Sequence, residues 1–227
     1  MKIRTFLVIL VAALTAHAVG AQPVPVEVVE VSPGSWELQR GGEPYFINGA
    51  GGSGSKELLA ASGGTTFRTW GVGDETGEEL DQAQELGLTV IVGHWLGHTR
   101  HGFDYHDIDM VAEQYERVKQ DVLKYKDHPA LLLWAVGNEM EGFGDGDDAG
   151  MWSHVQALAA MIKDLDPHHP VMTVTADIGG ARVQGVHDLC PDVDIMGINS
   201  YGGLPSIPER YRKAGGTKPV IITEFGP

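Results

Sequence analysis

Cysteine is almost missing from this chain of 227 residues. Cys190 stands alone, so no internal disulfide can form and packing must hold the fold. It lies in HDLCPDVDIM, just ahead of an apolar run, and reads as a packing residue. A nucleophilic thiol would want a paired histidine and a displayed turn, and the sequence offers neither. Positive charge is scarce as well. The chain has 16 Lys and Arg against 31 Asp and Glu, a formal net charge of −15. Such a surface repels phosphate backbones and excludes nucleic acid as an expected partner. The hydrophobic share of 42% and the charged share of 21% remove the disordered and fibrous classes, and the length suits one large domain.

Cofactor and metal signatures are missing too. GAGGSGS has glycines, but out of GxGxxG register, and no acidic residue ends the second predicted strand, so no dinucleotide is expected. His94, His98, His101 and His106 crowd one Gly-rich loop at spacings of four, three and five. There is no HExxH, and such a loop does not prescribe a metal site. A metal-dependent barrel hydrolase built on these histidines is the weakest rival. GFGDGDDAG carries Asp145, Asp147 and Asp148 yet lacks the ligand order of a calcium loop, and reads as a solvated acidic loop. No cofactor and no metal are expected.

What is present begins with an export signal. Lys2 and Arg4 precede an apolar stretch, Phe6 to Leu14, and small residues follow, with Ala18 and Ala21 as candidate cleavage points. The stretch is too short for a comfortable membrane span, so no stable membrane anchor is expected. Residues 1–21 are read as a signal peptide, 22–35 as an extended Pro/Val-rich lead-in, and 36–227 as the folded domain, secreted or periplasmic. A hairpin is predicted around Arg40-Gly41-Gly42-Glu43.

From there apolar runs alternate with helical patterns. Strands are predicted at Tyr45 to Asn48, Thr65 to Thr69, Thr89 to Val92, Leu131 to Val136, Val171 to Thr175, Ile195 to Ile198 and Val220 to Thr223. A helix follows each of the first six. In TGEELDQAQELG, Thr76 and Glu79 are spaced as a capping box and Gly87 as a stop. Seven strands alternating with six helices imply a parallel sheet with right-handed crossovers. Polar or aromatic residues end nearly every strand: Asn48, Arg68 with Trp70, His94 with Trp95, Asn138 with Glu139, Asp177, Asn199 with Tyr201, and Glu224. A ring of functional side chains from many strand ends is the habit of a closed barrel. The expected fold is an α/β (β/α)8 TIM barrel with about seven strands present. An eighth strand and helix would need roughly 30–50 further residues, so the chain is expected to be a C-terminally truncated part of a longer protein.

Two of those strand-end residues define a chemistry. Glu139 closes ALLLWAVGNE and Glu224 closes KPVIITEFG. A pair of carboxylates held across a pocket is the minimal equipment for glycoside hydrolysis. WAVGNE and, 85 residues later, ITEFG resemble the acid/base and nucleophile signatures of clan A retaining glycoside hydrolases. The chain is most similar to the TIM-barrel catalytic domain of glycoside hydrolase family two, with family five as a neighbour. In that clan the Asn-Glu pair ends the fourth strand and the nucleophile ends the seventh, and the strand count here agrees.

The resemblance implies an exported retaining glycosidase acting on O-glycosidic bonds of a β-linked oligo- or polysaccharide by double displacement. Glu224 would attack the anomeric carbon and Glu139 would act as acid and then base, the carboxyls about 5–5.5 Å apart. By the same resemblance Asn138 meets the sugar 2-hydroxyl, Tyr201 hydrogen-bonds the nucleophile, Arg68 stands near it, and His94 contacts substrate. Trp70 and Trp95, at strand ends, are candidate sugar-stacking platforms, whereas Trp134 and Trp152 read as core. The rival readings are a transglycosylase and a carbohydrate-binding pseudoenzyme on the same fold. Intact Asn138, Glu139, Tyr201 and Glu224 argue against the pseudoenzyme, while the absent eighth strand, which in the clan often supplies a stacking Trp, leaves open whether the fragment alone is active. The sequence sets neither the sugar nor the oligomeric state.

Overall fold

The computed structural model describes residues 22–142 and 144–226. The expected signal segment, residues 1–21, lies outside them. The described chain opens with β1 (Val26–Ser32), β2 (Ser35–Arg40) and the short β3 (Glu43–Pro44), an antiparallel sheet of order β1-β2-β3. The predicted hairpin at Arg40-Gly41-Gly42-Glu43 is there, but it joins only two residue pairs. The main hairpin is the one before it, from Val26↔Arg40 to Ser32↔Ser35. The segment read as a plain lead-in is therefore mostly strand. Val26, Val28 and Leu38 give it an apolar face that packs inside the barrel. Val26 N donates to His168 O at 2.8 Å and Arg40 Nη2 donates to Pro129 O at 2.7 Å. Both acceptors precede barrel strands, so the hairpin lies across the amino ends of the sheet.

The remaining elements alternate: β4 (Gly49–Gly51), α1 (Lys56–Ala61), β5 (Thr66–Arg68), α2 (Thr76–Leu86), β6 (Thr89–His94), α3 (Ile108–Tyr125), β7 (Leu131–Asn138), α4 (Ala149–Leu165), β8 (Val171–Ala176), α5 (Arg182–Leu189), β9 (Ile195–Tyr201), α6 (Ile207–Lys213) and β10 (Val220–Gly226). The sheet has seven strands in the order β10-β9-β8-β7-β6-β5-β4, all pairs parallel. A doubly wound sheet reverses its strand order at a switch point. Here each strand is laid beside its predecessor without reversal, which is the winding of a barrel. The sheet is nearly closed: Gly49 and Ala50 of β4 and Ile221 to Thr223 of β10 line the same cavity of about 280 Å³.

The first barrel strand begins later than predicted. Tyr45 N donates to Leu38 O, and its hydroxyl caps the interior at Thr65 O, 2.9 Å. Residues 45–48 thus lead up from the hairpin, and the parallel ladder starts at Gly49↔Thr66. The predicted capping box on α2 is also absent. Its N-cap is Glu75, and Thr76 Oγ1 instead accepts from Gly73 N at 2.9 Å. Gly87 ends that helix as expected, in the left-handed region at φ 71°.

Alternation along the strands divides the core in two. Val90, Val92, Trp134, Val136, Met196 and Ile198 face the helices and pack with Leu80, Val118, Trp152 and Leu158. Ile91, Leu133, Ala135, Met172, Val174 and Ile195 fill the barrel interior. Burial on both faces explains the unbroken apolar run of β7, every residue of which is buried. Cys190 and Trp152 are buried in the helix-side core as expected, and burial pushes the Cys190 thiol up to about 12. Among the described residues no helix is long and apolar enough to cross a membrane.

Candidate active site

Strict alternation would have placed the key residues of this site on the wrong side. On β7, Leu133 and Ala135 face inward, so an unbroken strand would send Asn138 outward with Trp134 and Val136. On β10, Ile221 faces inward and Ile222 packs on the helix side, so Glu224 would also point outward. Each strand carries one extra residue just before that position. The β7–β8 register runs Ala135↔Met172 and then Asn138↔Val174. The β9–β10 register runs Ile222↔Ile198 and then Glu224↔Asn199. A bulge of one residue reverses the facing of everything after it. Both polar groups are thereby turned into the mouth of the barrel. On β7 the device is Gly137, at φ +79°, a conformation glycine adopts freely and other residues avoid. Glu139, two residues on, is itself at φ +51°.

The side chains that meet there form one hydrogen-bonded cluster. Arg68, at the end of β5 and 4% exposed, donates through Nη1 to Glu224 Oε1 at 2.9 Å and through Nη2 to Asn138 Oδ1 at 2.8 Å. Trp70 Nε1 donates to the same Glu224 oxygen at 2.7 Å, and the Tyr201 hydroxyl donates to Oε2 at 2.7 Å. Asn199 Nδ2 donates to Glu139 Oε1 at 2.7 Å and to Asn138 Oδ1 at 3.2 Å. Thr223, the extra residue of the β10 bulge, donates from its hydroxyl to Asn199 Oδ1 at 2.7 Å. Asn138 therefore receives two donors on its oxygen, which fixes the orientation of the amide.

Glu224 is the carboxyl this setting acts on. Burial alone pushes the Glu224 carboxyl up. The Trp70 N–H, the Tyr201 hydroxyl and the Arg68 guanidinium outweigh it and hold the group below the ordinary carboxylate range. The hydrogen bond to Glu224 in turn raises the Tyr201 phenol, keeping it a donor. Burial pulls the Arg68 guanidinium down against the Glu224 charge, but arginine stays charged in proteins.

Of the residues singled out from sequence, Arg68, Trp70, Asn138, Glu139, Tyr201 and Glu224 lie in this cluster. Trp70 enters it by its N–H. With the Arg68 guanidinium 5.5 Å from its ring centroid, it orders the carboxylate, a contact not foreseen for a stacking residue. Trp95 is 41% exposed at the rim, stacked on His98 with centroids 4.9 Å apart. His94 is the correction. It was expected to touch substrate, but it is 1% exposed, pairs with outward-facing Val136, stacks on Trp134 at 5.3 Å and faces Asp121 of α3. No bulge precedes it, so it keeps the helix-facing parity of Val90 and Val92. Burial pushes its imidazole pKa down, so it is neutral at pH 7. Asn199 was counted among the polar strand ends but given no role, and Thr223 was not foreseen as a site residue. Asn199 had a signal, since it stands two residues before Tyr201 and shares its face.

The family model described as "Glycosyl hydrolases family 2, TIM barrel domain" matches residues 83–227. Mannan endo-1,4-beta-mannosidase F of Aspergillus fumigatus is 28% identical over 166 residues, 62% of this chain and 37% of that protein. A beta-glucuronidase of Streptococcus agalactiae is 30% identical over 130 residues, 51% of this chain and 20% of that protein. The chain thus spans less than two fifths of the length of these relatives. Among solved structures, the beta-D-glucuronidase of Dictyoglomus thermophilum superposes with a TM-score of 0.64 at 19% identity, covering 89% of this chain and 39% of that one. A beta-galacturonidase from Eisenbergiella tayi gives 0.68 at 15%, with the same coverage. At those identities the likeness speaks for the fold.

Proposed function

The chain belongs to glycosyl hydrolases family 2, as a TIM-barrel domain, and from that premise we propose that it cleaves O-glycosidic bonds of a β-linked glycan with retention of configuration. Glu224 is the nucleophile and Glu139 the acid/base. The observation that carries the reading is the unequal setting of the two carboxyls. Glu224 accepts from Arg68, Trp70 and Tyr201, and so stands ionised and aimed, as an attacking carboxylate must be. Glu139 accepts from the neutral amide of Asn199, which orients it without fixing a charge on it. Two carboxyls with environments of that kind divide the roles of base and acid between them.

The steps follow from these positions. A carboxylate oxygen of Glu224 bonds to the anomeric carbon while Glu139 gives its proton to the departing glycosidic oxygen. Glu139, now ionised, takes a proton from water, and that water displaces Glu224. The oriented NH₂ of Asn138 donates to a sugar hydroxyl beside the reacting carbon, a contact that strengthens as charge develops. The relatives are named for mannosidase and glucuronidase activity, so the sugar is sought with a panel of β-glycosides. For any that is cleaved, NMR of the first-formed product should show the β anomer. An α anomer appearing first would overturn retention.

We also propose that residues 1–21 direct export and are removed. The mature protein should begin at Gln22 or, after the earlier site, at Val19. An intact Met1 in the exported fraction would contradict this.

A further inference from the structure

The loop that carries Glu139 has an unusual support. Glu139 holds its left-handed backbone by donating N–H to Val174 O at 2.9 Å, and its carbonyl accepts from Gly142 N at 2.9 Å. Met140 is buried in the helix-side core, and beyond it the chain runs into a stretch rich in glycine, Gly142, Gly144 and Gly146. Past Met140, two ionic side chains hold the loop. Glu141 turns its carboxyl into the protein, 1% exposed. Its Oε1 accepts from Ala176 N at 2.6 Å and from Arg182 Nε at 2.8 Å. Arg182 opens α5. Its guanidinium donates Nη1 to Gly179 O at 2.8 Å and Nη2 to Gly144 O at 2.8 Å and Gly142 O at 3.4 Å. Two further ties extend the row: Ala181 N donates to Asp145 O at 2.6 Å, and Trp152 Nε1 donates to Gly146 O at 2.8 Å.

We propose that Glu141 and Arg182 are a positioning pair for Glu139, locking the loop after β7 to the loop after β8 so that the Glu139 carboxyl stays beside Asn199. This rests on the reading of Glu139 as the acid/base. Neither residue reaches the cluster around Glu224; they act through backbone. The design suits arginine. Its planar fork can serve one carboxylate and three carbonyls at once, which a lysine ammonium on a single nitrogen cannot do from the same place. Leaving Glu141 buried without its cation would release the loop, because the carboxyl would seek water or a proton.

The test compares Arg182→Lys and Glu141→Gln with Glu139→Ala on two substrates that share a glycone, one with an activated aryl leaving group and one with an unactivated sugar or alkyl leaving group. A misplaced acid fails where the leaving group needs protonation, so both positioning variants should lose on the order of tenfold to a hundredfold more kcat/KM on the unactivated substrate than on the activated one. Hydrogen exchange should rise in residues 140–147 and stay unchanged in α3. If the loop loosens but both substrates suffer alike, the positioning role is overturned while Glu139 keeps its own. If Glu139→Ala lacks leaving-group selectivity, the acid/base reading falls and takes the positioning role with it. Should Arg182→Lys fail to fold, Glu141→Gln, which keeps shape and an acceptor for both Ala176 N and Arg182 Nε but removes the counter-charge of the buried guanidinium, decides alone.

Discussion

β7 and β10 each deliver one carboxyl to the same cleft, and they hold it in opposite ways. β7 lies in the middle of the sheet, paired on both sides and buried throughout. Its carboxyl, Glu139, is set by main chain: a bulge at Gly137, a left-handed turn, and a loop whose carbonyls are tied down from α4 and α5. β10 ends the strand order, pairs with β9 on one side, and is half-buried over most of its length. Its carboxyl, Glu224, is set by side chains reaching from β5, the loop after it, and β9. A strand in the centre can lend rigidity through its backbone. A strand with one neighbour borrows it from hydrogen bonds. In the proposed mechanism the division is useful, since the donors that anchor Glu224 also hold its carboxyl below the ordinary range, while Glu139 accepts from a neutral amide at its carboxyl.

The comparison can be broken most severely at Glu224 itself. Glu224→Gln keeps the shape and should lower kcat/KM by on the order of 10⁴-fold or more, measured on whichever β-glycoside the protein cleaves. A small loss would move the nucleophile elsewhere. Arg68→Met comes next. It removes the cation from a largely buried pair, with side chains 5% and 17% exposed, and should cost about 3 kcal/mol of stability in denaturant titration. The sign with pH is fixed by the direction of the Glu224 shift. Its folded pKa lies below the ordinary value, so the stabilisation is present above the unfolded pKa of about 4.3 and is lost as pH falls through the folded one. In the variant that acid-side loss should shrink, and the acidic limb of kcat/KM should move to higher pH.

Gly137→Ala attacks the other arm. At φ +79° an alanine should cost about 1–2 kcal/mol through the backbone alone, and more because its Cβ overlaps the buried Met140 side chain; activity on unactivated substrates should drop more than that stability loss predicts, and intact activity would mean the β7 bulge does not place Glu139. Trp70→Phe removes one of the donors to Glu224 and leaves the ring. It should shift the acidic limb upward by about one pH unit; an unchanged limb with a raised KM would restore the stacking role instead. The smallest effect at the site is expected from His94→Phe. KM should not change, because the ring packs on Trp134 and faces α3, and only the melting temperature should respond.

Much of this architecture was legible in the amino-acid sequence. Long apolar runs broken by helical patterns gave the strand succession, the polar strand ends gave the barrel mouth, and Gly87 marked a helix end. The parity of His94 was legible too, from Val90 and Val92, and was overlooked. The two bulges were not. One inserted residue leaves composition and apolar pattern almost unchanged, and only pairing with the neighbouring strand reveals it; Gly137 hinted at the first, while Thr223 gave no local sign of the second. The ties of Arg182 to Gly142, Gly144 and Gly179 were equally hidden, because an arginine's partners among distant backbone carbonyls are set by tertiary structure. The longer hairpin of β1 and β2 was hidden for a similar reason: the glycines at 41 and 42 gave the stronger local signal, for the short pairing that is there, whereas the longer pairing depends on covering the barrel's amino end.

The most direct measurement is covalent trapping. An activated 2-deoxy-2-fluoro glycoside of the accepted sugar, incubated with the protein that carries this chain, slows release of the glycosyl enzyme and lets it accumulate. Peptide mass analysis should find the label on Glu224, and Glu224→Gln should abolish it. A label on Glu139, on Glu141 or on any other side chain would contradict the account.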